Sequence, residues 1–419
     1  LGISEDTQGK FDFLGYVRFF ATEVGSVKAE EFQESAPGRL IPTIGGAQAF
    51  VPEPPPESLP IEPSTIALHG RAEHALGRLA GTTARELNPY LVGSPLLHRE
   101  AILSSRMEGT ITTPEQLVLV QAVPNADSAH DDAEAREVLN YIEAMNHGLR
   151  RLDALPVCLR MIREIHGVLM AGVRGGRERP GEFRTDQNWI RGRLDDSIAN
   201  ARFVPPPVAE MSTALSDFEA YLNVDPSSVP LPDLIRLAVV HYQFETIHPF
   251  RDGNGRVGRL ILPLLLCSLG RLESPILFLS AFFEKHRDTY VDLLLHVSQT
   301  GDWKSWIDFF LRGLIESAEE GTRQANDLLA LRQTYHRHFQ KGRSSALLMR
   351  LVDRLFQTPS ITIGAAAEVL EVSNQAASNN IKKLIAAGIL EETTGRRKGQ
   401  VFIAREILRF MQDQPSDAS

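Results

Sequence analysis

Apolar residues recur at the three-to-four spacing of an α-helix through most of this chain, which limits it to a mainly α-helical architecture. Residues 64–88, 96–108, 133–152, 156–170, 208–222, 231–247, 257–269, 290–298 and 303–331 all read as helices. One stretch breaks the pattern. Between residues 174 and 203 glycines replace periodic apolar residues, and the β-prone runs 187–190 and 201–204 flank a polar insert, the arrangement of a short hairpin. Residues 51–63 (VPEPPPESLPIEP) predict an extended connector, because each proline fixes its own φ and biases its predecessor.

At 419 residues the chain has length for two or three domains and a sizeable core, and 43% apolar with 23% charged residues is an ordinary globular balance. Cys158 and Cys267 lie far apart, which excludes a disulfide scaffold and a multi-cysteine zinc site. The longest apolar run, 260–269, is about half of what a membrane span needs. With no charged-then-apolar leader opening the sequence given, a cytoplasmic protein without a membrane partner is expected. A net charge of −9 argues against a surface built wholly for nucleic acid. Residues 341–410 carry eleven Lys/Arg against six Asp/Glu, the opposite sign, and so read as a separate module.

The stretch richest in chemistry is His248-Pro249-Phe250-Arg251-Asp252-Gly253-Asn254-Gly255-Arg256-Val257-Gly258-Arg259. Pro249 must end the preceding helix, which presents His248 at a helix terminus. Gly253, Asn254 and Gly255 supply a turn that lets backbone approach a ligand, and the next helix begins at once. Its unpaired N–H groups and positive dipole end make an anion seat, with Arg256 and Arg259 three apart on one face. Asp252 offers a hard oxygen for a magnesium ion. His241, seven residues before His248, would suggest a metal hydrolase with Asp252, but Pro249 breaks the shared helix and no third ligand falls at a metal-binding spacing. His241 is therefore read as structural, as is His166.

This run resembles the signature of the Fic (Fic/Doc) family, His-x-Phe-x-Asp/Glu-Gly-Asn-Gly-Arg-x-x-Arg, at every defined position. Gly181-Glu182-Phe183-Arg184 through Asn188-Trp189-Ile190, then Phe203 to Pro207, is similar to the family's β-hairpin flap, although the insert 191–200 is longer and more charged than a short glycine turn. Ser104-Ser105-Arg106-Met107-Glu108-Gly109 resembles the family's inhibitory pattern, Ser/Thr-x-x-x-Glu-Gly/Asn. The resemblance implies a protein adenylyltransferase that moves AMP from ATP, with Mg²⁺, to a Ser, Thr or Tyr hydroxyl of a target protein. His248 would be the general base and Asp252 the metal ligand. Asn254 with the amides of Gly253 and Gly255 would cradle the α-phosphate, Arg256 and Arg259 would hold the β- and γ-phosphates, and Tyr290 would wall the adenine. Asn188, Trp189, Ile190 and Arg191 would hold the target's backbone. Glu108, with Ser104 one turn earlier, would pull Arg259 from the γ-phosphate. Removal of AMP by the same site is a competing reading.

The expected domains are an N-terminal segment and connector (1–63), a Fic domain (64–335) with its inhibitory helix near 96–109, and a module at 344–411. The last resembles a winged helix-turn-helix: helix 346–356, helix 361–370, a turn, helix 374–387 starting at Ser373, then a hairpin tipped by Arg396, Arg397 and Lys398. Such a tip would reach phosphate, so DNA is a candidate partner, with a DNA-binding regulator or a protein-contact module as the other readings. The target protein, the chain itself included, and a homodimer are the partners left open.

Overall fold

The computed structural model describes residues 29–43, 46–84, 90–123, 131–172, 179–190, 198–225, 228, 230–339, 345–395 and 399–412. It opens with a hairpin, β1 (Gly38–Pro42) and β2 (Gln48–Pro52), paired antiparallel from Gly38↔Pro52 to Pro42↔Gln48. Sequence periodicity gave no reading of these residues. Phe50 and Val51 of β2 are buried, and Phe50 N–H donates to Val204 O (2.9 Å), so the hairpin braces the segment that follows the flap. Residues 53–62 then run without an element, as the prolines require.

α1 (Pro63–Thr83) lies along α11 (Trp303–Phe339), the longest helix, with Leu68, Ala72, Leu76 and Leu79 buried on its inner face. α2 (Tyr90–Met107) starts earlier than expected, because Pro95 sits inside the helix and does not open it. The proline removes the one backbone bond that its own N–H would make a turn back, and separately His98 Nδ1 lies 2.7 Å from Ser94 O. α3 (Pro114–Ala122) was not anticipated, although Thr113 and Gln116 cap its start reciprocally. α4 (Asp131–Leu152), α5 (Leu159–Leu169) and α6 (Val208–Leu222) follow the expected periodicity. Among the described residues the expected hairpin shows one antiparallel bridge, Ile190↔Phe203. Arg191 and most of the insert lie outside the described residues.

α7 (Asp233–Ile247) is buried on nearly every side, as is the first half of α8 (Asn254–Ser268). α9 (Ser280–Lys285) and α10 (Arg287–Thr300) lead into α11. The C-terminal elements are α12 (Ser345–Gln357), β3 (Ser360–Thr362), α13 (Ile363–Leu370), α14 (Asn374–Ala386), β4 (Glu391–Glu392), β5 (Val401–Ile403) and α15 (Arg405–Leu408), with strand order β3-β5-β4. Ser373 caps α14 by accepting from Ala376 N–H (3.3 Å). The basic tip 396–398 lies outside the described residues. This module does not hang free: α12 packs on α2, and Val118 of α3 shares a cluster with Val401, Ile403, Leu408 and Met411. Among the described residues no helix is long and apolar enough to cross a membrane, and both cysteines are free.

Candidate functional site

His248 caps α7 with φ +47°, a left-handed conformation that costs a non-glycine residue energy. Neighbours impose it. Arg184 donates from Nε to His248 O (3.1 Å), from Nη1 to Asp186 O (3.0 Å) and from Nη2 to Pro206 O. Asn188 Nδ2 donates to His248 O (3.2 Å) and Phe250 O (3.0 Å). Asn188, expected to hold a target, here bonds the loop through two backbone carbonyls that lie outside a helix ladder. Arg184 is buried, which pulls its guanidinium down to about 10.

The imidazole of His248 has its Nδ1 3.3 Å from Glu245 O. A carbonyl only accepts, so this contact puts the proton on Nδ1 and leaves the lone pair on Nε2. Burial, reinforced by the charge of Arg184, holds the ring down to about 4, against the pull of the Glu245 carbonyl, Glu108 and Asp252. It is therefore a neutral acceptor at physiological pH.

Behind the loop stands His166, which its sequence context left without a role. Its ring stacks on Phe250 (centroids 3.7 Å apart, 6° between planes). Nδ1 accepts from Gly181 N–H (2.8 Å), so Nε2 carries the proton that reaches Asp252 O (3.1 Å). Burial lowers this imidazole to about 4 as well, and the tautomer is fixed by its two partners. Asn254, expected at a phosphate, closes the turn with its side chain. Its Oδ1 accepts from Phe250 N–H and its Nδ2 donates to Phe250 O, both at 2.8 Å. Gly253 makes the turn possible at φ +77°, where a Cβ would be strained and close on Met170.

Arg259 and Glu108 meet at the start of α8. Arg259 Nη2 donates to Glu108 Oε1 (2.7 Å) and to Ser104 O (3.0 Å), while Nε donates to Ser104 Oγ (2.7 Å). A Cβ on Gly255 would collide with Glu108 Oε1, so the carboxylate lies against the first turn of α8, in the anion seat itself. Burial pushes the Glu108 carboxyl up, but the Arg259 guanidinium outweighs it and the net direction is down. Arg259 is raised in turn, Glu108 overcoming burial. The three residues joined by sequence reasoning are joined in space.

Arg256 is buried deeper, 3.4 Å from Glu137 Oε2 and 3.8 Å from Asp252 Oδ1. Glu137 also accepts from Thr110 Oγ1 (2.7 Å), and nothing in the local sequence announced it. Asp252 accepts from Gly253 N–H (2.6 Å) and keeps a side chain 49% exposed at the loop's edge. Among the described residues no three His, Cys, Asp or Glu gather as a metal cluster. Asp252 offers a partly exposed hard oxygen at this edge.

A cavity of about 200 Å³ is lined by Glu108, His248, Gly255 and Arg259 together with Val291, Leu294 and Ser298. Tyr290 lines it and bonds through its hydroxyl to His241 Nε2 (2.8 Å). His241 is buried among Phe283, Trp306 and Phe310, and burial holds it down to about 3. Ile190 reaches the cavity wall, and Trp189 packs instead beside Ala49, Ala201 and Val204. Two further contacts escaped sequence reasoning because their partners are distant in the chain. Arg106 grips Glu284 with two prongs (2.5 and 2.7 Å), and Arg287 donates to Met107 O (3.2 Å).

The chain matches the Fic/DOC family over residues 156–266 and the Fic/DOC family N-terminal region over 66–150. It is 33% identical over 129 residues to the protein adenylyltransferase Fic of Culex quinquefasciatus, covering 31% of this chain and 22% of that one. With the protein of the same name from Aedes aegypti it shares 31% over 153 residues, covering 36% and 27%. The chain thus spans about a quarter of the length of these curated relatives. A crystal structure of a Fic family protein from Desulfovibrio desulfuricans G20 shares the fold, with a TM-score of 0.52 at 20% identity over 84% of this chain and 98% of that one.

Proposed function

The chain belongs to the Fic/DOC family over residues 66–150 and 156–266, and we propose from that premise that it transfers AMP from ATP to a Ser, Thr or Tyr hydroxyl of a protein. The observation that carries this reading is the shared cavity: a neutral imidazole at His248 faces the same space as an anion seat and Arg259. The incoming hydroxyl oxygen bonds to the α-phosphorus as the bond to the bridging oxygen of the β-phosphate breaks, and pyrophosphate leaves. Nε2 of His248 takes the hydroxyl proton. The N–H groups at the start of α8 hold phosphate oxygens, and Arg256 and Arg259 hold the outer phosphates, so charge that shifts onto the leaving group meets fixed donors. A Mg²⁺ ion held by Asp252 and the phosphates would supply further neutralisation of that charge. The bridged segment at Ile190 is the edge to which a target's backbone would align.

Glu108 opposes this. A phosphate cannot share Arg259 and the helix start with a carboxylate already seated there, so the state described is read as an inhibited one. The test is incubation with α-labelled ATP. Glu108→Gly labels protein, its own chain or an added lysate substrate, and the Glu108→Gly, His248→Ala double variant does not. Equal labelling with and without His248 would overturn the reading.

A further inference from the structure

Along α7, Tyr242 and Glu245 lie three residues and about 4.5 Å apart on the axis, and His248 caps the helix three residues further on. His248 marks the anion end of the cavity. Tyr242 marks the other, because its hydroxyl pairs with Ser298 Oγ (2.9 Å), and Ser298 lines the cavity beside Leu294. Glu245 stands midway and lines the same space, yet the chemistry above gives it no task.

Its environment is costly. Oε1 is buried and has no hydrogen-bond partner among the described residues. It rests against Gly258, where a Cβ would collide with it, so α8 keeps a glycine in mid-helix to leave room for a carboxyl. Burial, with help from Glu108 and against Arg259, pushes this carboxyl up to about 7. That oxygen is shut against α8, but the residue also lines the cavity, and a ligand donor bonding the carboxyl from that side would offset part of the cost of keeping it buried.

The ligand's own chemistry narrows that donor. Phosphate oxygens only accept, and they belong at the Arg259 end. An apolar wall of Val291 and Leu294 suits a flat base at the far end. Between them a nucleotide carries its sugar, whose hydroxyls donate. We propose that Glu245 is a specificity-determining residue that reads the ribose, accepting a hydrogen bond from a sugar hydroxyl and favouring ribonucleotides over deoxynucleotides. This rests on the adenylyltransferase reading of the cavity.

The experiment is calorimetric titration of the full chain, carrying Glu108→Gly to empty the anion seat, with ATP, 2′-deoxy-ATP and 3′-deoxy-ATP. The parent should bind ATP about tenfold more tightly than at least one deoxy analogue, which identifies the hydroxyl. Glu245→Ala should erase the difference by weakening ATP alone, Glu245→Gln should keep part of it, and Gly258→Ala, which displaces the carboxyl without removing it, should act like Glu245→Ala. Equal affinity of the parent for all three nucleotides, or an unchanged ratio in Glu245→Ala, would overturn the proposal while leaving AMP transfer intact. Failure of the parent to bind ATP at all would instead remove the nucleotide reading on which it rests.

Discussion

Glu108 Oε1 lies 2.7 Å from Nη2 of Arg259, one residue at the end of α2 and the other a turn into α8, with the Arg259 side chain only 3% exposed. The pair is held from below by Ser104, which offers both its hydroxyl and its carbonyl to the same guanidinium. A buried guanidinium with three satisfied donors does not turn readily toward a phosphate, because each bond must be replaced without water.

Removing the carboxylate should therefore release activity. Glu108→Gly is expected to raise AMP transfer at least about tenfold, the equivalent of about 1.4 kcal/mol of competition at Arg259. The measurement is incorporation of α-labelled nucleotide at saturating ATP. Unchanged incorporation, with nucleotide binding intact, would separate Glu108 from regulation.

The pH dependence has a definite sign. An imidazole held down to about 4 is unprotonated at any higher pH, so the base is available across the neutral range and is lost only as pH falls toward that value. Transfer by the Glu108→Gly chain should be flat between about pH 8 and about pH 6 and decline below that. Arg184 contributes to the depression, so replacing it with Met should move the decline to higher pH. A rate that halves near an ordinary histidine value in the unaltered loop would contradict the assigned environment.

The same arginine tests the architecture. Arg184 serves carbonyls of His248, Asp186 and Pro206, and Met has no donor to replace it. Arg184→Met should cost about 2–4 kcal/mol of stability through unsatisfied buried carbonyls and should lower kcat through a loosened His248. His248→Ala, by contrast, should abolish transfer with little change in Tm, since its imidazole makes one long hydrogen bond. Parallel thermal unfolding and labelling assays distinguish the two. A stable Arg184→Met chain with normal transfer would deny it the positioning role.

How much of this was legible in the sequence depends on how far apart the partners lie. The loop from His248 to Arg259 could be read because its helix end, turn and anion seat are set by adjacent residues. The helical framework was equally local, and Thr113 with Gln116 shows that even α3 carried a readable cap. The supports of the site were not local. Arg184, Asn188 and His166 act on backbone atoms 60 or more residues away, and no periodicity encodes such a contact. Asn254 shows the same limit: its sequence position suggested a ligand contact, and only the folded loop reveals that its side chain also bonds the Phe250 backbone.

The last prediction concerns the C-terminal module, which packs against α2, the helix that leads to Glu108. α2 is contacted by α12 and by the final 3₁₀ turn, Arg409–Met411, while α3 inserts Val118 among Val401, Ile403, Leu408 and Met411. Ser360 Oγ donates to Val118 O (2.9 Å), and Arg405 pairs with Glu115 at 3.3 Å. α2 is also tied to the helices around the cavity through Arg106–Glu284 and through Glu100, which accepts from Tyr141 and Ser280 (2.9 and 2.5 Å). The C-terminal elements thus contact the same helix that leads to Glu108. Val118→Asp buries a charge in the α3 contact and should weaken that docking by about 3 kcal/mol. Transfer should then rise several-fold in the chain that keeps Glu108 and not at all in the Glu108→Gly chain, where no brake remains to be loosened. A rise in both backgrounds would assign the effect to the cavity itself. No rise in either, with limited proteolysis showing the module undocked, would mean that α2 holds Glu108 in place without help from the C-terminal elements.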